Sequence, residues 1–239
     1  MDEEGLINKR NIEVTKITPF MDNITTKASN YSSSFSTSNN INDGVKLLKK
    51  YRESLLSTPG MNEIIPNLFI GSLRDSTDIN QLARNNIKRI VSLMSYFSKT
   101  DHPHHSNIKI LKIKIEDKCC EDVLKYVEMI NSFIHEGRLK NEGVLIHCFV
   151  GVSRSVTIGA LYLLSVTTLS YNSVLTLISS KRECASPNLG FKMQLKKFSL
   201  GTRDNEYNRL MLENNENEEM KERFEELFNN DKKCTSFLP

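Results

Sequence analysis

No segment of the 239-residue sequence is apolar over a long enough stretch to cross a membrane. The longest apolar run, residues 156–169, is interrupted by Ser and Thr side chains and falls short of the roughly 20 residues that a transmembrane helix needs. The first ten residues, MDEEGLINKR, are acidic and contain no apolar core, so we expect no secretory signal. A cytoplasmic and/or nuclear location is therefore favoured.

Lipid anchors and a disulfide framework are also not indicated. Asp2 stands where N-myristoylation requires Gly, and residues 236–239 contain no Cys for prenylation. The five cysteines are spaced irregularly, so we expect reduced thiols. Apolar residues make up 38% and charged residues 26% of the chain, a composition that argues against collagen, coiled-coil and fully disordered classes.

The net charge of +3 is distributed unevenly. Residues 45–202 carry 22 basic and 13 acidic side chains, whereas residues 1–44 and 203–239 both contain more acidic than basic groups. A basic central region between acidic ends predicts an anionic ligand. Nucleic acid, phospholipid and phosphate esters all fit this pattern, and charge alone does not choose between them.

Composition divides the chain into four parts. Residues 1–44 are rich in Ser and Asn and are predicted to be a disordered tail. Residues 45–60 are predicted to be a linker with a short amphipathic helix. Residues 61–202 are expected to form the folded domain, and residues 203–239 a charged, helical C-terminal tail.

Strands and helices alternate within the predicted domain. Short β-branched runs bounded by turn residues predict strands, and apolar residues repeating every three to four positions predict helices. The predicted strands are residues 64–65, 68–70, 87–93, 108–115 and 143–147, and the predicted helices are residues 75–85, 121–135, 153–169, 172–182 and 190–198. This alternation predicts an α/β fold with a central, mainly parallel sheet flanked by helices.

The segment VLIHCFVGVSRS, residues 144–155, carries the chemistry. An apolar strand runs into a tight loop that opens the most apolar helix, so successive backbone N–H groups converge on one point and suit an oxyanion. Gly151 lets this loop curl without a Cβ in the way. Cys148 begins the loop, where a helix N-terminus and a nearby cation favour the nucleophilic thiolate. Arg154 offers a planar fork that suits two phosphate oxygens.

His-Cys-x5-Arg is the signature loop of the cysteine-based phosphatases, and the form found here, HCFVGVSRS, resembles that of the dual-specificity protein phosphatases. The resemblance covers residues 61–202 and includes IIPNLFIGSL (64–73), IKIED (113–117) and PNLGFKMQL (187–195) in the expected order. It implies a cysteine phosphatase-like fold of the compact, atypical type.

The resemblance implies a role for four residues. Cys148 would be the nucleophile, Arg154 would bind phosphate and Ser155 would assist release of the thiolate. Asp117, which lies 31 residues before Cys148, occupies the position of the general acid. The acidic rivals for this last role are Glu116, Glu121 and Asp122.

The implied phosphate-binding loop consists of Phe149, Val150, Gly151, Val152, Ser153 and Arg154. His147 and Asn188 are implied as supporting residues. This chemistry requires no cofactor and no metal, and His102, His104 and His105 lack the spacing of a zinc site. Cys119 and Cys120 are either ordinary thiols or resolving thiols for an oxidised nucleophile.

The leading hypothesis is a protein phosphatase that hydrolyses phosphotyrosine and phosphoserine/threonine through a cysteinyl-phosphate intermediate. One alternative is a cysteine phosphatase for a phosphoinositide or an RNA 5′-triphosphate, although Val150 and Val152 stand where the resemblance places lysines in phosphoinositide enzymes. The other is a non-catalytic phosphoprotein-binding module.

Phosphoprotein substrates are the expected partners. A MAP kinase-like kinase is a candidate partner, because residues 9–14 are basic and then alternate with apolar residues, as docking peptides do. Neither nucleic acid nor a membrane is expected as a partner.

Overall fold

The computed structural model describes residues 60–97, 107–213 and 218–235. The predicted disordered tail, the linker helix and the kinase-docking segment lie outside the described residues, as do His102, His104 and His105. Within the described ranges the chain forms five strands, one 3₁₀ turn and eight helices.

A five-stranded sheet in the order β1-β2-β5-β3-β4 forms the centre of the fold. The strands are β1 (Asn62–Ile65), β2 (Leu68–Ser72), β3 (Ile87–Met94), β4 (Lys109–Lys114) and β5 (Gly143–Cys148). β1 and β2 form an antiparallel hairpin, and the pairs β2–β5, β5–β3 and β3–β4 are parallel. The predicted α/β fold with a mainly parallel sheet is confirmed.

Strand β5 lies in the middle of the sheet and ends at the candidate nucleophile. All six of its residues are buried, because a central parallel strand is covered on both faces. Cys148 is the last of them and pairs in register with Ser72 at the end of β2. The carboxyl ends of these parallel strands meet at one edge of the sheet, which is where α/β folds bind ligands.

The helices cover the sheet on its two faces. They are α1 (Leu73–Thr77), α2 (Ile79–Arg84), α3 (Val127–Leu139), α4 (Arg154–Val166), α5 (Tyr171–Lys181), α6 (Leu189–Gly201), α7 (Arg203–Glu213) and α8 (Glu218–Thr235), with the 3₁₀ turn at Leu124–Tyr126. Every residue of α4 is buried. Gly159 permits this depth, because a Cβ there would lie 2.7 Å from Cδ1 of Ile70 in β2.

The helix predicted over 75–85 is two short helices. Asp78 adopts an extended backbone between them, and its side chain accepts hydrogen bonds from the N–H groups of Asn80 and Gln81 at the start of α2. Aspartate is a favoured N-cap because it satisfies N–H groups that a helix leaves unpaired. The apolar spacing alone did not reveal this interruption.

The helix predicted over 121–135 begins later and ends later than expected. It starts at Val127 and runs to Leu139. The N–H of Val123 donates to Oε1 of Gln194 on α6, so the residues before α3 are held by a tertiary contact in place of a helical one. Such a contact is invisible in a local apolar pattern.

The segment predicted as a helical tail forms α7 and α8, which pack on the core. Leu210 of α7 and Phe224 of α8 are buried in the main hydrophobic cluster. Asp231 of α8 accepts hydrogen bonds of 2.6 and 2.7 Å from the two terminal nitrogens of Arg138 on α3. Both side chains of this ion pair are at most 1% exposed, so α8 closes the interior of the folded unit.

Candidate active site

Cys148 places its sulfur at the centre of the loop that follows β5. The residue is 2% exposed, and the N–H of Gly151 donates to Sγ at 3.2 Å. The hydroxyl of Ser155 lies 3.4 Å from the same sulfur. Gly151 has a φ of 79°, and a Cβ there would lie 2.5 Å from the carbonyl oxygen of Gly71. Glycine is therefore required for this curvature.

The loop is fixed at both ends by backbone hydrogen bonds. The N–H of Leu73 donates to the carbonyl oxygen of Phe149 at 3.3 Å, and the N–H of Ser186 donates to that of Val152 at 2.8 Å. Ser155 belongs to the first turn of α4, whose partial positive charge stabilises anions. A thiolate and a phosphate group are both anions, so the same helix end stabilises both.

Arg154 opens α4 and keeps one edge of its guanidinium available. Nη1 donates to the carbonyl oxygen of Ile115 at 3.2 Å. Nε is buried without a hydrogen-bond partner among the described residues, and Oδ2 of Asp117 lies 3.8 Å away. Buried donors are nearly always paired, so the unpaired Nε is a donor of the kind that binds a phosphate oxygen.

Asp117 is held over the loop by two donors. Its Oδ1 accepts hydrogen bonds from the hydroxyl of Ser153 at 2.7 Å and from Nδ2 of Asn188 at 2.8 Å. Its Oδ2 faces Arg154. The structure therefore brings Asp117 together with the loop and with Asn188; its role as the general acid stays a prediction.

The three acidic rivals have other neighbours. Glu116 forms an ion pair with Lys118, which lowers the pKa of its carboxyl. The remaining two have these contacts: Glu121 pairs with Lys125 at 3.3 Å, and Asp122 accepts a hydrogen bond from the N–H of Leu124 at 3.0 Å. The geometry thus favours Asp117 among the four candidates.

Asn188 joins α6 to the acid and to the loop. Its Oδ1 accepts a hydrogen bond from the N–H of Phe191 and caps α6, and its own N–H donates to Oγ of Ser153 at 3.2 Å. Gly190 follows, where a Cβ would lie 1.9 Å from the carbonyl oxygen of Cys119. The start of α6 is therefore packed directly against the segment that carries Asp117.

The other predicted residues lie either buried beneath the phosphate-binding loop or at its exposed edge, the rim. His147 is buried, and its Nδ1 lies 3.3 Å from the carbonyl oxygen of Cys148. Val150 is buried, whereas Phe149 is 44% exposed and forms part of the rim. The surface around the loop is therefore partly aromatic.

Arg182 holds the back of the loop and was missed by the sequence analysis. It is fully buried, and its Nε donates to the carbonyl oxygen of Gly151 at 2.7 Å. Its Nη1 donates to Oδ1 of Asn62 at 2.6 Å and its Nη2 to the carbonyl oxygen of Val150 at 3.4 Å. A basic residue at a helix end is ordinarily a solvated partner of the helix dipole, so nothing in the local pattern singled it out.

Cysteines 119 and 120 are exposed free thiols, and their interpretation as resolving thiols stays a prediction. Across residues 60–97, 107–213 and 218–235, no cluster of three or more His, Cys, Asp or Glu side chains could hold a metal ion. Within the same ranges, none of the helices combines the length and apolar composition that crossing a bilayer requires.

Comparison with known proteins gives a consistent result. Residues 68–200 match the family described as dual specificity phosphatase, catalytic domain. Dual specificity protein phosphatase 22-B of Danio rerio is 40% identical over 142 residues, which cover 59% of this chain and 75% of that protein. Dual specificity protein phosphatase 22 of Homo sapiens is 37% identical over 139 residues, which cover 58% and 73%.

Solved structures agree with these sequence matches. The crystal structure of DUSP15 superposes with a TM-score of 0.60 at 34% identity and covers 63% of this chain and 94% of that chain. Human DUSP28 superposes with a TM-score of 0.57 at 26% identity and covers 61% and 96%.

Proposed function

Because this chain belongs to the dual specificity phosphatase family and is a protein phosphatase, we propose that Cys148 is the nucleophile with which it hydrolyses phosphotyrosine and phosphoserine/threonine. One observation carries the proposal. The sulfur of Cys148 accepts the N–H of Gly151 beside the first turn of α4, while the unpaired Nε of Arg154 lies next to Asp117. The nucleophile, the anion-binding loop and the general acid are therefore next to one another.

In the first step the thiolate of Cys148 attacks phosphorus in line with the substrate oxygen. The P–O bond to the substrate breaks, and its electron pair stays on the leaving oxygen, which takes a proton from Asp117. Oδ1 of Asp117 is occupied by two donors, so Oδ2 is the oxygen that carries this proton. The product of the step is a cysteinyl phosphate.

In the second step water attacks the cysteinyl phosphate while the Asp117 carboxylate accepts one of its protons. The P–S bond breaks, and its electron pair returns to sulfur as the thiolate. The hydroxyl of Ser155 lies 3.4 Å from this sulfur, and a hydrogen bond that it donates there stabilises the leaving thiolate. Inorganic phosphate is released.

Charge on the three equatorial oxygens is stabilised by preorganised donors throughout. We expect the backbone N–H groups of residues 149–154 to donate to these oxygens, as the N–H of Gly151 donates to the sulfur of Cys148, and Arg154 to add two parallel N–H bonds. Arg182 acts as a positioning residue, because its hydrogen bonds end on loop carbonyls and orient the loop.

Neither alternative function is favoured. The two relatives described above are named as dual specificity protein phosphatases. Val150 and Val152 add no cation that would attract a phosphoinositide headgroup or an RNA triphosphate. A binding module would not need the acid that Asp117 supplies beside the thiol.

Phosphoproteins are the substrates, and a MAP kinase-like kinase is proposed as one partner. The support is the basic-then-apolar pattern of residues 9–14. We propose that the enzyme acts in the cytoplasm and/or nucleus, because its five cysteines are all free thiols, the state that these reducing compartments maintain. Fluorescent tagging of the full chain in cells tests the location.

Substitution Cys148→Ser tests the nucleophile. Turnover of phosphotyrosine and phosphothreonine peptides should be abolished, because a hydroxyl is a far poorer nucleophile at neutral pH, while the melting temperature and the binding of inorganic phosphate remain. Cys120→Ser, at an exposed thiol, is the matched control and should keep full activity. More than trace turnover in purified Cys148→Ser protein would show that another group is the nucleophile.

The wild-type enzyme is assayed in parallel against a phosphoinositide and an RNA 5′-triphosphate. Turnover of both phosphopeptides and little turnover of the other two substrates is expected. Turnover confined to the lipid or to the RNA would contradict the assignment to protein substrates.

A further inference from the structure

The exposed face of α6 carries a row of apolar side chains that the catalytic machinery does not use. Leu189, Met193 and Leu200 are 69%, 66% and 79% exposed. At 100° per residue they lie within about 40° of one another and extend over about 17 Å of helix. The opposite face of α6 supplies Phe191, Leu195 and Phe198 to the core. We call the exposed row the α6 stripe.

Lysines border the α6 stripe on both sides. Lys192 and Lys196 lie on one side of it and Lys197 on the other, and α6 contains no acidic residue. None of the three ammonium groups forms an ion pair with another residue in the part of the chain that the structure describes. Apolar surface between unpaired cations complements a partner that combines apolar and acidic side chains.

A cavity of about 430 Å³ adjoins the stripe and gives it depth. Leu124, Val127 and Phe198 provide apolar walls, and Lys197 and Gly201 line it from α6. The other charged side chains of the lining are Glu128 and the ion pair of Glu206 with Arg209. A Cβ built on Gly201 would meet no atom within 4 Å, so the cavity is open at this position. A few anchor side chains that fill such pockets contribute most of the affinity of an interface.

The α6 stripe begins at the active site. Leu189 directly follows Asn188, whose side chain donates to Asp117. One end of the stripe therefore lies beside the scissile bond and the other about 17 Å away, a span that about five residues of extended chain would cover. A segment that close to the phosphate belongs to the phosphorylated protein itself.

We propose that the α6 stripe and the adjoining cavity form a docking surface for an acidic, apolar segment of the phosphoprotein substrate, within a few residues of the phosphorylated side chain. The proposal rests on the function proposed above. An anionic membrane would match the lysines, but a cavity of about 430 Å³ with both apolar and charged lining residues suits inserted side chains of a peptide segment, whereas a bilayer presents a flat surface. The docking surface would select among phosphoproteins without taking part in the chemistry.

The test compares two phosphotyrosine peptides and a small aryl phosphate. One peptide carries Glu and Leu residues at six positions on each side of the phosphotyrosine, and the other peptide carries Ser at the same positions. Wild-type enzyme should show a kcat/KM roughly tenfold higher for the Glu/Leu peptide, mainly through KM, since a buried anchor and two charge contacts are worth about that factor. The double variant Met193→Glu, Leu200→Glu should abolish this preference and leave the aryl phosphate activity unchanged.

Gly201 provides a sharper pair of variants. Gly201→Glu places a carboxylate in the open cavity and should remove the preference, whereas Gly201→Ala should keep it. Ile79→Glu is the surface control, because Ile79 is 55% exposed on α2, whose Leu82 packs in a separate core cluster on the other face of the sheet. This control should behave as wild type.

Binding of the same peptides to the Cys148→Ser protein gives a readout that is independent of turnover. The Glu/Leu peptide should bind roughly tenfold more tightly than the Ser peptide, and the α6 variants should lose the difference. Equal affinity for the two peptides would overturn the docking surface, and so would lysine-dependent binding to phosphatidylserine vesicles without a peptide preference. Failure of the wild-type enzyme on the aryl phosphate would instead overturn the proposed function.

Discussion

Asp117 presents its two carboxylate oxygens to different neighbours. Oδ1 accepts hydrogen bonds from Ser153 and Asn188, and Oδ2 lies 3.8 Å from Nε of Arg154. A carboxyl group held by two donors at one oxygen can move a proton only at the other. The hydroxyl of Ser153 and the amide of Asn188 thus orient the acid, and they bind α6 to the catalytic loop at the same time.

Substitution Asp117→Asn should slow turnover of phosphopeptides by roughly 10²–10⁴, the usual contribution of a general acid. The loss should be smallest for an activated aryl ester, because its leaving oxygen carries negative charge without a proton. In the profile of rate against pH, the rise on the acidic side (the acidic limb) should remain, and the fall on the basic side (the basic limb) should flatten.

Glu116→Gln, Glu121→Gln and Asp122→Asn serve as matched controls for this variant. Each should keep the basic limb, because each side chain contacts a group outside the loop. If one of them loses the limb while Asp117→Asn retains it, the acid is that residue.

Residues whose role depends on neighbours close in sequence were predictable, whereas residues whose contacts join distant parts of the chain were not. Cys148, Gly151 and Arg154 share one short segment whose strand–loop–helix pattern is local. Arg182 lies 31 residues from the carbonyl oxygen of Gly151 that it binds, and its sequence neighbours resemble any helix end. Asp117 was chosen among four acids by resemblance, because the contact that favours it comes from Asn188, 71 residues away.

At the scale of elements, α8 depends on one buried ion pair. Arg138 of α3 donates to both oxygens of Asp231, to the carbonyl oxygen of Pro66 and to the hydroxyl of Tyr162. Four acceptors satisfy a guanidinium that is fully buried. The desolvation cost of a buried pair is large, so this contact stabilises the fold only as long as both partners are present.

Asp231→Ala should lower the free energy of unfolding by about 3–5 kcal/mol, because it leaves the charge of Arg138 buried without its carboxylate. Arg223→Ala is the control on the same helix. It removes an exposed pair with Glu219 and should cost at most about 1 kcal/mol. Urea denaturation followed by circular dichroism measures both values, and equal losses in the two variants would refute the role of the buried pair.

His135 makes the same interior sensitive to acid. Burial, with a smaller contribution from the charges of Arg138 and Arg209, lowers the pKa of His135 to about 3. Its Nδ1 lies 2.9 Å from the hydroxyl of Tyr162, and its ring packs on Phe224 of α8. A histidine in this setting stays neutral in the folded protein, whereas in the unfolded chain it titrates near pH 6.5.

The sign of the pH effect follows from these two values. Above about pH 6.5 His135 is neutral in both the folded and the unfolded state, so it contributes nothing to the pH dependence of the free energy of unfolding. As the pH falls below that value, only the unfolded chain takes up the proton, so stability decreases by about 1.4 kcal/mol per pH unit until the pH approaches the folded pKa. Wild-type protein should therefore lose about 1.4 kcal/mol more than His135→Gln between pH 7.5 and 5.5. Equal losses, measured by urea denaturation, would contradict this assignment.

At the scale of the whole molecule, the alternation of strands and helices was sufficient to predict the fold, because each element carries its own apolar period. The ends of the folded unit were harder to predict from the sequence. Residues 203–239 look like a polar tail because charged side chains dominate their composition, although Leu210 and Phe224 enter the core and Glu206, Asp231 and Thr235 are also buried. The apolar residues that pack there are Tyr207, Leu210 and Met211 on α7 and Phe224 and Leu227 on α8. Their spacing of three to four positions predicts helices, but it does not show which surface covers them.

Two truncations at opposite ends of the chain should therefore differ sharply. Deleting residues 218–239 removes Phe224 and leaves Arg138 without Asp231, so the melting temperature and the activity should both fall strongly. Deleting residues 1–44 should leave turnover of a small aryl phosphate nearly unchanged, because a Ser/Asn-rich segment has little apolar surface to contribute to a core. A lower melting temperature and a large loss of activity in the second variant would show that the N-terminal segment packs on the domain. An unchanged melting temperature in the first would show that α8 is dispensable for the fold.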